Sequence, residues 1–467
     1  MRNGVSGLNT DSWGSDGQTA QGDDSVNPSP QAVLARANGE DGEANGGGGE
    51  PAPASYDVTV KLADLQADPN SPLYSVQKFE DLGLSEELLK GIYAMKFQKP
   101  SKIQERALPL LLANPPRNMI GQSQSGTGKT AAFVLTMLSR VDPSVDTVQA
   151  LCLAPSRELA RQIMDVVQAM GKYTNVKAGY AIKDTMRAGA AMTEHIIVGT
   201  PGTVLDVIRR QRLHVDNIKV FVIDEADNML DQQGLGEQCT RVGREVPEDA
   251  QVLLFSATFP DVVREYAQKF APDANEISLK REELSVEGIK QFYMDCQNRE
   301  HKYEVLVALY SLLTIGSSII FVRSRADAER IQEMMIEDGH QVSRLHGEQF
   351  PQERDEVIDD FRSGRSKVLI TTNVLARGID IATVSMVVNY DIPTVYETRE
   401  PDFQTYLHRI GRTGRFGRVG VSISFVHDNR SLNEMIAIQD YFGVEMTRVP
   451  TEDWEEVERV IKGVIKA

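Results

Sequence analysis

At 467 residues and 41% apolar, the chain can fill cores for two ordinary domains plus a tail, and no run approaches the ~20 apolar residues of a membrane span. Its 67 acidic against 50 basic residues give a net charge of −17, which excludes nucleic-acid binding through a global basic field and leaves only a local track. Cys152, Cys239 and Cys296 fall in no metal-ligand spacing, so free thiols in a reducing compartment are expected.

Residues 1–55 are rich in Gly, Ser, Asp, Asn and Ala and include Gly46-Gly47-Gly48-Gly49. Residues 1–50 hold eight acids against Arg2 and Arg36, so this stretch carries −6 and the remainder −11. It cannot bury enough surface to offset its chain entropy and is expected to be a disordered acidic tail. No apolar core of a secretory signal is visible there, which predicts a cytosolic protein. A flanking segment, 56–78, follows. Within it Val58–Leu65 is weakly amphipathic before the break at Asp68-Pro69-Asn70-Ser71-Pro72; a helix wedging between lobes to slow their closure is one reading, and a short helix packed on one lobe or a disordered stretch is the other.

From 79 to 280, apolar runs alternate with helical patterns: Ala150–Ala154, His195–Thr200, Val220–Ile223, Val252–Ser256 and Glu276–Leu279. Such strands between helices predict a parallel sheet covered on both faces. A polar linker, 281–288, leads to a second alternating set over 289–467, namely Ile289–Cys296, Ile319–Val322, Val342–Leu345, Val368–Thr371, Met386–Tyr390 and Val421–Val426, with a closing helix near Trp454–Lys466. The fold class is α/β in two parallel-sheet lobes joined by a short linker.

The first lobe carries a phosphate-binding pattern. Ser123–Thr130 fits G-x-x-x-x-G-K-[ST] except that Ser123 takes the first glycine slot, and it lies between Asn118-Met119-Ile120 and helical Ala131–Ser139. Backbone N–H groups of Ser125, Gly126, Thr127 and Gly128 would cradle phosphates, with Lys129 on the β/γ-phosphates and the Thr130 hydroxyl on Mg²⁺. Asp224-Glu225-Ala226-Asp227 follows the apolar run Val220–Ile223. A helix cap explains one strand-end acid but not a pair, so Asp224 is assigned to the Mg²⁺ shell and Glu225 to orienting or deprotonating the attacking water. Ser256-Ala257-Thr258 ends another strand and would relay hydrogen bonds between nucleotide and lobe interface.

In the second lobe, His408-Arg409-Ile410-Gly411-Arg412-Thr413-Gly414-Arg415 clusters three arginines and a histidine around glycines. A solvated basic loop is one reading; the other is that Arg412 and Arg415 reach a γ-phosphate across a cleft. Ala376-Arg377-Gly378-Ile379-Asp380 places an acid to bind ribose hydroxyls or to steady those arginines.

Together with Phe97-x-x-Pro100-Ser101-x-Ile103-Gln104, Pro155-Ser156-Arg157-Glu158-Leu159-Ala160 and Thr200-Pro201-Gly202, these motifs stand in the order of a DEAD-box RNA helicase, which the chain resembles from about Phe79 to Val449. The resemblance implies RecA-like lobes and an ATP-dependent RNA helicase using ATP and Mg²⁺. It implies that Phe97 stacks on adenine and Gln104 bonds its edge. Gly378 and Asp380 would meet the ribose, and Asp227, Ser256, Thr258 and His408 would couple the lobes. Arg157, Thr200, Gly202, Arg354 and Thr372 would touch the RNA backbone without reading sequence.

Asn114–Ser123, Thr203 and the insert Thr394–Asp402 resemble the subgroup acting in mRNA export at the nuclear pore. That implies an export factor carrying inositol hexakisphosphate, a cytoplasmic nucleoporin, and residence in cytoplasm and nucleus at the pore's cytoplasmic face. A translation-related helicase and a nucleotide-gated RNA clamp share these motifs. Two lobes in one chain need no second copy, so a monomer is expected. Ser123, Thr203, Ala178-Gly179-Tyr180 and Pro351 depart from the family pattern, which implies fewer cationic RNA contacts.

Overall fold

A computed structural model describes residues 58–64, 75–122, 128–183, 185, 191–231, 234–279, 289–312, 316–373, 384–395, 398–414 and 419–465. The tail, the linker at 281–288, and the site residues Ser125, Gly126, Thr127, Gly378, Asp380 and Arg415 lie outside these residues.

The first lobe is one sheet of β1 (Val58–Lys61), β2 (Met119–Gln122), β3 (Ala150–Leu153), β4 (Ala178–Ala181), β5 (Ile196–Gly199), β6 (Val220–Ile223), β7 (Gln251–Ser256) and β8 (Asn275–Leu279), in the order β1-β8-β2-β7-β6-β3-β5-β4. All pairs are parallel except β1 with β8. The alternation of the strands explains the two cores. Ala150, Cys152, Val220 and Val222 pack into one layer, while their neighbours Leu151, Leu153, Phe221 and Ile223 pack into the opposite one. A strand buried on both faces has no polar side to show, hence its unbroken apolar run.

The second lobe repeats the plan with β9 (Ile289–Asp295), β10 (Ser318–Phe321), β11 (Val342–Leu345), β12 (Val368–Thr371), β13 (Met386–Asn389), β14 (Gly420–Val426) and β15 (Thr447–Val449), ordered β11-β12-β10-β13-β14-β9-β15 and parallel throughout. Its sheet is likewise sandwiched, with Ile320, Ile370 and Val388 on one face and Ile319, Phe321, Leu369 and Val387 on the other. The closing helix is Trp454–Ile465.

One expectation is overturned. Val58–Lys61 is no interlobe helix but an edge strand, antiparallel to β8 from Val58↔Leu279 to Lys61↔Glu276. Its period is two: Val60 and Leu62 enter the core, while Thr59 and Lys61 face water and Lys61 Nζ lies 3.2 Å from Glu276 Oε1. β-Branched residues on alternate positions favour that outcome over a helix.

The strand therefore seals the sheet edge next to the lobe's last strand. Removing residues 1–57 is expected to leave the melting temperature unchanged. Removing 1–64, or introducing Val60→Asp, is expected to lower it by roughly 4–8 °C, for about 2 kcal/mol of lost apolar burial. Calorimetry of the three variants checks this, and a Val60→Asp protein melting with the parent would contradict it.

Candidate nucleotide site and interlobe seam

The phosphate-loop helix, Lys129–Arg140, starts where Gly128 turns into the left-handed region at φ 96°. A side chain there is excluded twice, because a Cβ would also stand 2.6 Å from Gln104 Nε2 and 2.9 Å from Ser101 Oγ. Gln104 is enclosed against the Gly128 turn. Its Nε2 donates to the Gly128 carbonyl at 3.0 Å, and its Oε1 accepts from Ser101 N at 2.9 Å within a capping box. Lys129 is buried and Thr130 half-buried at the helix start.

Phe97 corrects a second expectation. Its side chain is 1% exposed within the first lobe's core and meets Phe79 edge-to-face at 6.4 Å, so it presents no ring face to a base. It packs into the first lobe's core against Phe79 instead of stacking on adenine.

At the end of β6, Asp224 is 5% exposed and its Oδ1 accepts from Glu225 N at 3.0 Å. Burial raises its carboxyl to about 7; Lys129 pulls it down and Glu225 pushes it up. Glu225 itself turns at φ 54°, unusual for a residue with a side chain. Asp227, on the helix Ala226–Asp231, is tied to the neighbouring strand. Its N–H donates to Ser256 Oγ at 3.1 Å, and its Oδ2 accepts from Thr258 N at 3.0 Å and Thr258 Oγ1 at 2.8 Å. Because β6 and β7 are adjacent, the two strand ends meet on one sheet edge.

The second lobe reaches this edge through His408, on the helix Phe403–Ile410, whose Nε2 lies 3.6 Å from Asp227 Oδ2. That is ion-pair range rather than a hydrogen bond. Burial alone would raise the Asp227 carboxyl, but His408 and the Thr258 donors hold it well below the usual range.

The helix bearing His408 is anchored by Arg409, 1% exposed. Arg409 donates to Asn373 Oδ1 at 3.2 and 2.5 Å, to Asn389 Oδ1 at 3.2 Å and to the Asp391 carbonyl at 2.7 Å, and stands 4.9 Å from the Phe321 ring. Lys302 braces the same turn through the Tyr390 carbonyl at 2.6 Å and Asp391 Oδ1 at 3.0 Å. Arg412, 3% exposed, follows directly.

Of the expected RNA-contacting residues, two arginines are engaged across the seam. Arg157 forms a two-pronged pair with Asp355 at 3.0 and 2.8 Å and also donates to the Pro351 carbonyl at 3.2 Å. Arg161 joins the same carboxylate, and Arg354 Nη2 lies 2.8 Å from Glu158 Oε1. Thr200 precedes the helix Pro201–Arg209, its hydroxyl donating to Thr203 at 3.2 Å, so Thr203 supplies a local bond where the family pattern has a cation. Gly202 is exposed, a Cβ there meeting only the movable end of Gln238, and Thr372 is half-buried just after β12.

The acids of the seam carry no role in the sequence reading, although a signal exists. Arg157-Glu158 and Arg354-Asp355 are matching cation–acid dipeptides near helix starts, and the structure pairs them crosswise. Truncation in Asp355→Ala is expected to cost the closed arrangement about 1–2 kcal/mol, a shift of roughly 5- to 30-fold toward open lobes. Fluorescence transfer between dyes on the lobes, without RNA, measures it; an unchanged distance distribution would remove Asp355 from the seam's energetics.

Comparison with known proteins bears on this geometry. The family model for DEAD/DEAH box helicases matches residues 101–266, and that for the helicase conserved C-terminal domain matches 301–417. The ATP-dependent RNA helicase DBP5 of Scheffersomyces stipitis is 65% identical over 415 residues, covering 89% of this chain and 83% of that protein. Solved Saccharomyces cerevisiae Dbp5 bound to RNA and ADP BeF3 is 63% identical, covers 84% of this chain and 100% of its own, and superimposes with a TM-score of 0.79. A single-site variant of the same protein bound to Nup159, Gle1, IP6 and ADP is 61% identical over 82% of this chain and 100% of its own, yet superimposes at 0.61. At similar identity, this chain superimposes better on the form bound to RNA and ADP BeF3 than on the form bound to Nup159, Gle1, IP6 and ADP. The chain belongs to the DEAD/DEAH box helicases, as an ATP-dependent RNA helicase of the type of DBP5.

Proposed function

We propose that this chain hydrolyses ATP when RNA holds its two lobes closed, and uses that cycle to separate short RNA duplexes and strip proteins from RNA. The observation that carries the reading is the 3.6 Å approach of His408 to Asp227, which joins the two lobes at the hydrolytic carboxylates. Lys129 and the backbone of Ser125–Gly128 receive the phosphates, and Glu225 takes a proton from the attacking water. Arg412 and Arg415 arrive from the second lobe as the charge develops on the transferred phosphoryl group. Gly378 and Asp380 meet the ribose.

A divalent metal fits the donors present. Mg²⁺ favours one or two carboxylates plus substrate phosphates, and the described residues offer the buried Asp224 carboxylate, with the Thr130 hydroxyl at the start of the phosphate-loop helix. Bound there, it would neutralise phosphate charge. Gln104 keeps one amide hydrogen and one lone pair beyond its bonds to Gly128 and Ser101, enough to read an adenine edge and report it to the phosphate loop.

Arg157, Thr200, Gly202, Arg354 and Thr372 form the backbone-gripping track, with RNA phosphates competing against Asp355 and Glu158 for the two arginines. The related yeast protein binds RNA, Gle1 with IP6, and Nup159, which supports work in mRNA export at the cytoplasmic face of the nuclear pore and movement between cytoplasm and nucleus. No helix among the described residues is long and apolar enough to cross a membrane.

Steady-state ATPase without nucleic acid, with single-stranded RNA and with matching DNA tests the proposal. RNA alone is expected to stimulate. Glu225→Gln is expected to abolish that stimulation, and Arg412→Gln to reduce it by about 10³ or more. Equal stimulation by DNA, or full activity in Glu225→Gln, would overturn it.

A further inference from the structure

The residue immediately after the acidic motif has an unassigned position and chemistry. Asn228 is 2% exposed in the third position of the helix Ala226–Asp231. Its side chain turns back on Glu225, Nδ2 lying 3.3 Å from Oε2, and its N–H donates to Asp227 Oδ1 at 2.9 Å. Asparagine is a weak helix former, and an enclosed amide is costly unless bonded. Only the NH₂ end of the amide can face a carboxylate, so the orientation is set by charge.

Glu225 needs such support. Its backbone sits at φ 54°, a conformation that persists only where the surroundings hold it. They do so on each side. Asp224 N donates to the Leu153 carbonyl at 3.0 Å, the Glu225 N–H is taken by Asp224 Oδ1, and Asp227 is tied to Ser256 and Thr258. Those bonds fix the Glu225 backbone, while its carboxylate remains on three rotatable bonds. The Asn228 amide stops that rotation by occupying Oε2 and leaves Oε1 to accept from water.

We infer that Asn228 is a positioning residue for hydrolysis, holding the Glu225 carboxylate in the orientation that takes the proton from the attacking water. The inference rests on Glu225 being that base. An acid at position 228 would have no hydrogen to donate and would set a like charge against Glu225. A glutamine keeps the donor. Asn228 therefore acts on the chemical step, because the carboxylate its amide contacts is the one that accepts the proton.

The test is single-turnover ATP hydrolysis at saturating RNA for Asn228→Asp, Asn228→Gln, Glu225→Gln and the double variant Glu225→Gln/Asn228→Asp, with fluorescent-ADP affinity and melting temperature measured on each. Asn228→Asp is expected to slow hydrolysis about 10- to 100-fold, with affinity and melting close to the parent, and Asn228→Gln to recover most of the rate. In the Glu225→Gln background the second substitution is expected to change nothing further, since its partner is gone. A parental rate in Asn228→Asp, losses that multiply in the double variant, or lost rate tracking lost melting temperature would overturn the inference while leaving Glu225 in place. A fully active Glu225→Gln would overturn the assignment of the base itself.

Discussion

The contact between Asp227 and His408 is the interaction on which the rest of the molecule turns, because it joins two lobes that each hold half of a reaction. The first lobe supplies Lys129, Asp224 and Glu225; the second supplies Arg412 next to the helix that carries His408. On the proposed mechanism neither half hydrolyses ATP alone. Closure is thus the step at which chemistry becomes possible, and anything that steadies closure acts as an activator. The crosswise pairs of Arg157 with Asp355 and Arg354 with Glu158 lie along the same seam and add directional, charge-assisted bonds to it.

Placing those groups has a cost that the structure meets by burying charge in company. Arg409 is fully enclosed, and burial draws its guanidinium down to about 9, yet it retains four hydrogen bonds and an aromatic neighbour. Lys302 and Asp391 form an enclosed ion pair beside it, the Asp391 carbonyl also accepting from Arg409. Such ion pairs seldom stabilise more than apolar packing would, but breaking one leaves a stranded charge. Their use here is geometric, fixing the helix that aims His408 and Arg412. Asp224 is the converse case, a buried carboxylate pushed up to about 7.

Much of this was legible from residues alone. Central strands such as Val220–Ile223 have water on neither face, so their unbroken apolar runs stand out, and the carboxylates and hydroxyls at their ends mark the site edge. Edge strands were harder. Ala178–Ala181 lacks β-branched residues and Thr447–Val449 has three residues, so tertiary pairing rather than local propensity makes them strands. Val58–Lys61 was misread because amphipathicity was weighed without its period of two. Phe97 was misplaced for a different reason: a motif specifies which residue stands near a ligand, but burial against Phe79 decides whether its face is open. The roles of Asp355, Glu158 and Asn228 depend on pairings across space or across a helical turn, which single positions do not disclose.

Linkage between the two ligands is the most direct consequence of a site completed by closure. If ATP and RNA both favour closed lobes, each must tighten the other by the same factor. The decisive measurement is RNA affinity with and without a non-hydrolysable ATP analogue, beside affinity for that analogue with and without RNA. A shared closed state predicts equal gains, on the order of 5- to 150-fold. RNA affinity indifferent to the analogue would show that the lobes bind their ligands independently, and the seam would lose its central place.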